Sequence, residues 1–228
     1  MKQSRFSYFV FDAVTAFVLF LFILSFAVTF TLNFRPLYYM DIEWLGIEER
    51  SGMTEKEIRE NYDVLIDYNS MFTDEELKFP TLAMSETGKI HFEEVKDIFV
   101  GFQKTTLVTV FLGLAAVFLQ RRSGRQRKRY LKYTGVFTIL FPAVLGAAMA
   151  INWDKAFVIF HKIAFDNDYW IFDATTDPVI TILPDTFFLH CAAMIIGMIV
   201  AGSVLCLVLY AVSVKKENAS GSALEKNE

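Results

Sequence analysis

The sequence predicts an all-α integral membrane protein in which four transmembrane helices carry a small helical extracellular cap. Apolar residues make up 54% of the 228 residues, and 24 of the 228 are Phe, whereas a soluble domain has about 45–50% apolar residues. The excess is concentrated in four blocks that are nearly free of charge. Because lipid offers backbone groups no hydrogen-bond partners, each block that crosses the membrane should be a helix.

Three of the four blocks have outright the roughly 20 apolar residues that crossing a bilayer takes. The second block has a weaker core, which is extended upstream through 98–102. We expect transmembrane helices at 1–34, 98–120, 133–152 and 187–214. The first is interpreted as a retained signal anchor, because its apolar run is much longer than the roughly 7–15 residues of a signal-peptide core. Pro142 lies inside the third helix and should kink it.

The basic residues predict the orientation, since Lys and Arg near the ends of spans stay in the cytoplasm. The loop 121–132 is basic, and Lys or Arg also precede the first span and follow the last one. Both termini should therefore be cytoplasmic, and 215–228 is expected to be a disordered cytoplasmic tail. The segments 35–97 and 153–186 would then lie outside the cell membrane.

The charge distribution excludes a nucleic-acid partner. The segments 35–97 and 152–186 carry 22 of the 26 acidic residues, so the net charge of −4 hides a basic cytoplasmic side and an acidic outer side. The basic run 121–129 is short and has no interleaved aromatic residues. Cys191 and Cys206 both lie in the last span, about 22 Å apart along one helix, which is too far for a disulfide.

The cap, 35–97, should be helical and should rest on the ends of the spans. Pro36 ends the first span, and the aromatic residues after it are expected at the headgroup level: Tyr38, Tyr39 and Trp44. Thr54–Glu57 is a capping box that opens a helix, whose inner face recurs at helical spacing: Ile58, Tyr62, Leu65, Ile66 and Asn69. Thr73–Glu76 predicts a second capped helix that closes at Pro80.

Two of the three histidines lie next to predicted spans. A turn at 85–90 precedes His91, which should begin a helix that runs into the second span without a breaker. In the segment 153–186, His161 lies on the apolar stripe of an amphipathic helix, short enough to lie at the membrane interface. The stripe consists of Phe157, Phe160, His161, Ala164 and Phe165.

Each of these features has an ordinary structural interpretation. A histidine at a membrane interface is usually an amphipathic side chain with its tip in water, and for His190 we keep that interpretation. Aromatic residues usually pack or anchor, and acidic residues are usually solvated or cap helices. The sequence contains no G-x-S-x-G, P-loop, H-E-x-x-H or C-x-x-C motif. A metal site is conceivable from His91, His161 and the acids Asp166, Asp168, Asp173 or Asp177, but their spacing matches no ligand signature.

Two motifs carry a more specific signal. One is Ser85-x-x-Gly88-x-x-His91-Phe92-x-x-Val95-Lys96. The other is Phe160-His161-x-x-x-Phe165-x-Asn167-Asp168-x-Trp170-x-Phe172-Asp173-x-x-x-Asp177, followed by Leu183-Pro184-x-x-Phe187-Phe188. Through these motifs and its four-span layout, the chain resembles the bacterial lipoprotein intramolecular transacylases. One departure is Ala174, where a proline often follows the aspartate, and we expect it to alter a turn only.

The resemblance implies an acyltransferase that needs no cofactor and no metal. Such proteins move the sn-2 acyl chain of an S-diacylglyceryl-cysteine lipoprotein onto its own α-amino group, giving the lyso form. The implied partners are diacylglyceryl-modified lipoproteins and membrane lipid. The implied catalytic residues are His91 and His161. The substrate would be held by an aromatic cage, defined as Phe92, Phe160, Phe165, Trp170, Phe172 and Phe188. The implied supporting residues are Ser85, Asn167, Asp168, Asp173 and Asp177.

Acid–base roles can be predicted for the two histidines, since imidazole with a pKa near 6.5 can serve as base or acid. Desolvation should lower the pKa of His161 and make it the base. Nearby acids, Glu93, Glu94 and Asp97, should favour the cation of His91. A neutral base and a charged acid predict a bell-shaped pH profile.

Two other function classes stay open. One is a metal-dependent membrane lipid hydrolase, which a chelator would inhibit. The other is a non-catalytic membrane scaffold or sensor, in which replacing the histidines would leave the lipid state of cellular lipoproteins unchanged.

Overall fold

The computed structural model describes residues 5–122 and 128–225, and within these residues all regular secondary structure is α-helical. In chain order the helices are α1 (Arg5–Asn33), α2 (Arg35–Trp44), α3 (Ile47–Ser51), α4 (Glu55–Tyr68), α5 (Glu86–Arg122), α6 (Arg129–Ile151), α7 (Trp153–Ala164), α8 (Val179–Ile182) and α9 (Asp185–Glu225). The first residues, the middle of the predicted basic loop and the end of the predicted tail lie outside the described residues: 1–4, 123–127 and 226–228.

In the part of the chain that the structure describes, four helices have the length and the apolar composition needed to cross a membrane. They are Ser7–Asn33, Glu86–Arg122, Arg129–Ile151 and Asp185–Ala219. The shorter helices α2, α3 and α4 lie between the first two of them in the chain. The predicted fold class, an all-α membrane protein with four spans and a small helical cap, is confirmed.

Helix α5 is longer than a membrane span. Its 37 residues measure about 55 Å at 1.5 Å per residue, whereas the hydrocarbon layer is about 30 Å thick. Six of the twelve residues 86–97 are charged. The first three turns of α5, which include His91, therefore lie outside its membrane-spanning portion.

The chain divides into two compact units. The first unit comprises Val28–Lys104 and Gly146–Ile195, and the second comprises the described residues before, between and after these segments. Both histidines of the predicted site belong to the first unit.

The second unit contains hydrogen bonds between polar groups of its apolar helices. The Gln120 amide donates to the Asp12 carboxylate at 2.9 Å and to the Thr15 hydroxyl at 3.3 Å, which ties α5 to α1. The Ser203 hydroxyl donates to the Gly135 carbonyl at 2.6 Å, which ties α9 to α6. Bonds of this kind hold membrane helices together where apolar packing alone does not discriminate partners.

The core of the first unit is built around the ring of Tyr38. This ring is 0% exposed, stacks on Tyr62 at a centroid distance of 3.7 Å and meets the edge of Phe187 at 5.0 Å. Its hydroxyl donates to the Ile182 carbonyl at 2.7 Å. The predicted headgroup position of Tyr38 is therefore wrong, because Pro36 lies in the first turn of a new helix, α2, that turns Tyr38 inward.

The predicted capping box at the start of α4 is confirmed. The Thr54 hydroxyl accepts a hydrogen bond from the Glu57 N–H, and the Glu57 carboxylate accepts one from the Thr54 N–H at 2.9 Å. The predicted inner face is buried throughout: Ile58, Tyr62, Leu65, Ile66 and Asn69. Burial of this face fixes α4 against the core.

The second predicted capped helix, 74–79, does not form. The Thr73 hydroxyl donates to the Asp67 carbonyl instead of capping a helix, and the Lys96 ammonium donates to the Thr73 carbonyl. The segment instead runs without helix and places Leu77 against the core.

Helix α5 begins at Glu86, whereas the sequence predicted a turn at 85–90 and a helix from His91. The Ser85 hydroxyl accepts a hydrogen bond from the Gly88 N–H at 3.0 Å, which is the bond of an N-cap residue. Glycine is common in the turns of loops, which is why a turn was predicted here, but Gly88 lies in the first turn of the helix. His91 therefore lies in the second turn of α5.

The tail prediction is wrong for 215–225, because α9 continues to Glu225. Lys215, Lys216 and Glu217 are good helix formers, and no proline follows the span to end the helix. The last part of the predicted tail, 226–228, lies outside the described residues.

His190 does not simply extend its tip into water. Its Nδ1 lies 2.8 Å and 2.9 Å from the two carboxylate oxygens of Asp41, a residue that is 0% exposed. The side chain stays 34% exposed. The sequence did not predict the pair with Asp41, which forms because α2 brings a buried carboxylate against α9, and a buried carboxylate needs a donor. The pair ties α2 to α9 within the first unit.

Replacing Tyr38 by Phe should destabilise the protein by about 1–3 kcal/mol, because the buried Ile182 carbonyl loses its donor while the ring stacking remains. Thermal unfolding in detergent, followed by fluorescence, measures the change. Tyr169→Phe is the matched control, since Tyr169 is 39% exposed. Equal unfolding temperatures for the two variants would contradict the assigned role of the Tyr38 hydroxyl.

Candidate active site

The structure brings His91 and His161 together from two helices that are far apart in the sequence. Their ring centroids are 6.3 Å apart and the ring planes are tilted by 33°. His91, on α5, is only 6% exposed, and His161, on α7, is half-buried. The two imidazoles are close enough to act on a single bound group.

Aromatic rings surround His91. The ring of Phe165 lies 4.8 Å away and that of Phe172 lies 5.4 Å away, both edge-on to the imidazole. Phe92 lies 5.8 Å from the imidazole and stacks on Phe172 at 5.5 Å. These three members of the predicted aromatic cage therefore form one wall around His91.

His161 is enclosed by a second set of rings. Trp170 stacks on the imidazole at 4.7 Å, Phe160 meets it edge-on at 5.3 Å and Phe165 lies 5.8 Å away. Phe165 contacts both histidines and joins the two walls. Phe160 is 57% exposed, so it covers the outer edge of the site.

Phe157 is a site residue that the predicted cage omits. Its ring centroid is 4.1 Å from that of His161, closer than those of Trp170 and Phe160, and it also contacts Phe188 at 5.8 Å. Phe188 thus reaches the site through Phe157. The signal was present in the sequence, because Phe157 precedes His161 by one helical turn on the same stripe.

The tautomer of His161 follows from its hydrogen bond. Its Nδ1 lies 2.8 Å from the Phe157 carbonyl oxygen. A carbonyl oxygen can only accept, so Nδ1 carries the proton and donates it. In the neutral ring Nε2 is then an acceptor. His161 therefore presents a basic nitrogen away from its own helix backbone.

Burial lowers the pKa of both histidines, which favours the neutral form of each ring near pH 7. Desolvation in the aromatic surroundings, with a smaller contribution from the neighbouring His161, lowers the pKa of His91 to about 4. Desolvation also lowers the pKa of His161, partly opposed by its hydrogen bond to the Phe157 carbonyl. The lowered pKa of His161 was predicted. The predicted cation of His91 is wrong, because desolvation outweighs the acids that are near it in sequence.

Asn167 connects the predicted site to Glu94, a residue that sequence reasoning did not assign to it. The Asn167 amide donates to Glu94 Oε1 at 2.8 Å. The Trp170 indole N–H donates to the Asn167 carbonyl at 3.1 Å, and Trp170 stacks on His161. Asn167 thus fixes the ring that covers His161.

Asp177 and Ser85 position the start of α5. Asp177 is 3% exposed and its carboxylate accepts hydrogen bonds from the Ser85 N–H at 2.8 Å and from the Thr176 hydroxyl at 2.7 Å. A Cβ added to Gly88 would lie 2.2 Å from Asp177 Oδ1 and 3.3 Å from a ring carbon of Phe172. Glycine therefore allows α5 to approach the loop that carries Phe172.

Two predicted supporting residues lie away from the histidines. The Asp173 carboxylate is exposed and accepts hydrogen bonds from the N–H and the hydroxyl of Thr175, both at 2.8 Å. These bonds lower the pKa of Asp173, so it is a turn residue. Asp168 is exposed, and its backbone carbonyl accepts from the Ile171 N–H.

The conceivable metal site does not assemble. Within residues 5–122 and 128–225, no three side chains of His, Cys, Asp or Glu are gathered as a metal ion would require. His91 and His161 face each other, but the acids considered with them do not complete a ligand set.

The chain is similar to known lipoprotein intramolecular transacylases. A family model described as lipoprotein intramolecular transacylase Lit matches residues 13–188, which include every predicted site residue. The solved structure of the membrane-integral Lit from Bacillus cereus is 39% identical, with a TM-score of 0.88, and the match covers 92% of this chain and 97% of that one. A Bacillus cereus Lit structure with one histidine replaced by arginine is 38% identical, with a TM-score of 0.82 over 92% and 93% of the two chains.

A further relative is an uncharacterized protein of Aquifex aeolicus strain VF5. It is 32% identical over 117 residues, which are 51% of this chain and 46% of that protein. The match therefore spans less than half the length of this relative. The membrane-integral structural relative and the four apolar helices together identify the chain as a multi-pass membrane protein.

Replacing Gly88 by Ala should destabilise the protein by about 1–3 kcal/mol, because the new Cβ must displace the Asp177 carboxylate that holds Ser85. Thermal unfolding in detergent tests this expectation.

The control is Gly101→Ala on the same helix, where a Cβ would meet nothing within 4 Å. That change should be neutral or stabilising by up to about 1 kcal/mol, since Ala is the better helix former. If both alanine variants unfold at the wild-type temperature, the close approach at Gly88 has no energetic importance.

Proposed function

Because this chain belongs to the lipoprotein intramolecular transacylase family, we propose that it moves the sn-2 acyl chain of an S-diacylglyceryl-cysteine lipoprotein onto the lipoprotein's own α-amino group. The product is the lyso form, with an N-acylated cysteine and one acyl chain left on the glyceryl group. An ester is exchanged for a more stable amide, so the reaction needs no cofactor.

One observation carries this proposal for the site: two desolvated imidazoles lie 6.3 Å apart inside a set of aromatic rings. Acyl transfer from oxygen to nitrogen requires one proton to leave the amine and one to reach the alkoxide. A pair of neutral imidazoles beside an apolar lining matches both the proton transfers and the lipid character of the substrate.

The reaction can be written with these groups. The neutral amine attacks the sn-2 ester carbonyl carbon, and a C–N bond forms as the carbonyl becomes a tetrahedral oxyanion. An imidazole accepts a proton from the attacking nitrogen. The C–O bond to the glyceryl group then breaks, and the alkoxide takes that proton. One proton has moved from nitrogen to oxygen, and the protein returns to its starting state.

The geometry favours His161 as the base, since its Nδ1–H is bound to the Phe157 carbonyl and Nε2 is left to accept. His91 is also neutral, so it does not start as the acid. We propose that the proton taken from the amine is the one returned to the alkoxide. Either His161 returns it directly, or His161 passes it to His91, which then donates it to the alkoxide. This replaces the predicted pairing of a neutral base with a charged acid.

The aromatic cage, together with Phe157, would hold the acyl chains and the glyceryl group. Attacking and leaving groups are on one molecule, so the protein's task is to fold that molecule into a reactive shape. Positioning of this kind accounts for much of the rate in intramolecular reactions.

The proposed location of the site is the outer face of the cell membrane, with both termini in the cytoplasm. The support is the placement of basic residues, which the sequence puts on one side of all four spans. The segments 35–97 and 153–186 would then be extracellular, where lipoproteins display their lipidated N-termini.

Replacing His91 or His161 by Ala should lower the yield of lyso-form lipoprotein at least about 10²-fold, the usual scale for a lost acid or base. Replacing both should cost little more than the worse single change, because the two act in one reaction. Mass spectrometry of a lipoprotein's N-terminal peptide, from cells with and without each variant, measures the yield. Lys162→Ala is the control, since Lys162 is exposed beside His161.

Near-wild-type yield from both single variants would reject the two histidines as catalytic groups. Absence of lyso form even with the wild type would reject the activity and favour a scaffold or sensor. Loss of an acyl chain without N-acylation, abolished by a chelator, would favour a metal-dependent hydrolase.

The rate should rise with pH and then level off above about pH 8. The substrate amine has an ordinary pKa of about 7.7–8.0 and must be neutral to attack. The lowered pKa values of His91 and His161 keep both rings neutral above pH 6.5. Protonation of either ring should therefore reduce the rate only at lower pH. The rate of lyso-form production, measured from pH 5 to 9 and corrected for a blank without protein, tests this pH dependence. A fall in rate between pH 7 and 9 would show that one histidine must start charged.

A further inference from the structure

A carboxylate oxygen near the two histidines lacks a hydrogen-bond donor. Glu94 Oε1 accepts from the Asn167 amide at 2.8 Å. Glu94 Oε2 is buried and has no hydrogen-bond partner among the residues that the structure describes. A buried acceptor without a donor is costly, and more so when it is charged. The arrangement indicates that a bound molecule supplies the missing hydrogen-bond donor to the Glu94 carboxylate.

Glu94 is placed at the edge of the candidate active site. It follows His91 by three residues on α5, so the two side chains leave the helix on neighbouring positions of one face. Its partner Asn167 comes two residues after Phe165, whose ring contacts His91 and His161. The Asn167 carbonyl also accepts from Trp170, which stacks on His161.

The substrate of the proposed reaction carries a matching group. An α-amino group has an ordinary pKa of about 7.7–8.0, so near pH 7 it arrives as an ammonium ion. The imidazoles of His91 and His161 are neutral and cannot attract a cation by charge. The aromatic cage contributes only apolar surface and ring faces. Glu94, which is hydrogen-bonded to Asn167 at the edge of the site, supplies a carboxylate that can pair with such a cation.

We propose that Glu94 Oε2 binds the α-ammonium group of the lipoprotein's N-terminal cysteine, with Asn167 as the positioning residue that holds the carboxylate. This inference rests on the proposed function, because it names the contact that recognises the substrate of that reaction. The carboxylate retains the amine beside the histidines while one of its protons is removed. It acts on binding and orientation and takes no proton itself.

The contact also gives the site a basis for selectivity. A lipoprotein whose cysteine nitrogen is already acylated has no positive charge there and cannot form the charge-assisted hydrogen bond. The same holds for the reaction product, which is an amide. The site should therefore prefer the free-amine substrate and release the lyso form.

The test is a binding measurement with two synthetic lipopeptides that cannot react. Both carry a thioether-linked glyceryl group whose two chains are attached as ethers, so no ester is present for transfer. One has a free α-amino group, and the other has hydrogen in its place. The full-length protein in lipid nanodiscs is titrated with each at pH 7.

The wild type should bind the amine-bearing lipopeptide about 10- to 100-fold more tightly, the range for a hydrogen bond to a charged group. Glu94→Gln should lose most of this preference, while it keeps the size of the side chain and a group that can accept from Asn167. The control is Glu93→Gln, which removes the same charge from an exposed neighbour on the same helix, and it should keep the preference.

Equal affinity of the wild type for the two lipopeptides would overturn the proposal even if Glu94→Gln failed to fold. A preference retained by a folded Glu94→Gln variant would overturn it as well. A failure of the proposed function is distinguishable, because in that case the wild type would not convert the ester-containing lipopeptide into its lyso form. Conversion by the wild type with no amine preference would leave the activity standing and remove only the role of Glu94.

Discussion

The site depends on the desolvation of two imidazole rings that lie 6.3 Å apart. In water, rings of ordinary pKa would both be partly charged at pH 6.5. Here the aromatic surroundings make the charged form costly, and a second charge at this distance would add repulsion. The result is a neutral pair, which is the state required of a base that must take a proton from an amine. The same apolar surroundings would suit the diacylated substrate of the proposed reaction, so one physical property would serve both of the proposed roles.

The scaffold keeps this pair in place through local hydrogen bonds at the elements that carry it. Asp177 holds the N-cap of α5, and Gly88 lets that helix approach Phe172. On α7, the Asn152 side chain accepts from the Lys155 N–H at 2.8 Å and caps the helix one turn before Phe157. Each histidine therefore lies within two or three turns of a capped helix start, and the cap helps to define the position of its ring.

The sequence was sufficient for features that depend on local or averaged properties. Four apolar blocks predicted the fold class, Thr54 and Glu57 predicted the start of α4, and the spacing of two motifs identified the histidines that the structure brings together. Features that depend on packing between distant segments could not be read in this way. Asp41 becomes buried only because α2 turns inward, so its pairing with His190 was missed.

Two errors near the site have the same cause. The sequence places three acids close to His91, but sequence distance does not reveal that burial among Phe92, Phe165 and Phe172 outweighs them. Glu94 was counted as one of these acids, whereas its hydrogen bond with Asn167, 73 residues away, gives it a separate place at the edge of the site. In both cases a long-range interaction decided the chemistry of a residue whose type alone was ambiguous.

The protonation states of the two imidazoles in the proposed active site can be measured directly by nitrogen NMR. The protein labelled with ¹⁵N at histidine is titrated in lipid nanodiscs, and the signals are assigned by their loss in His91→Ala and His161→Ala. We expect both rings to be neutral at pH 6.5 and above, with titration only at lower pH, and His161 to carry its proton on Nδ1. An imidazolium signal from either ring at half intensity or more at pH 6.5 would contradict this expectation.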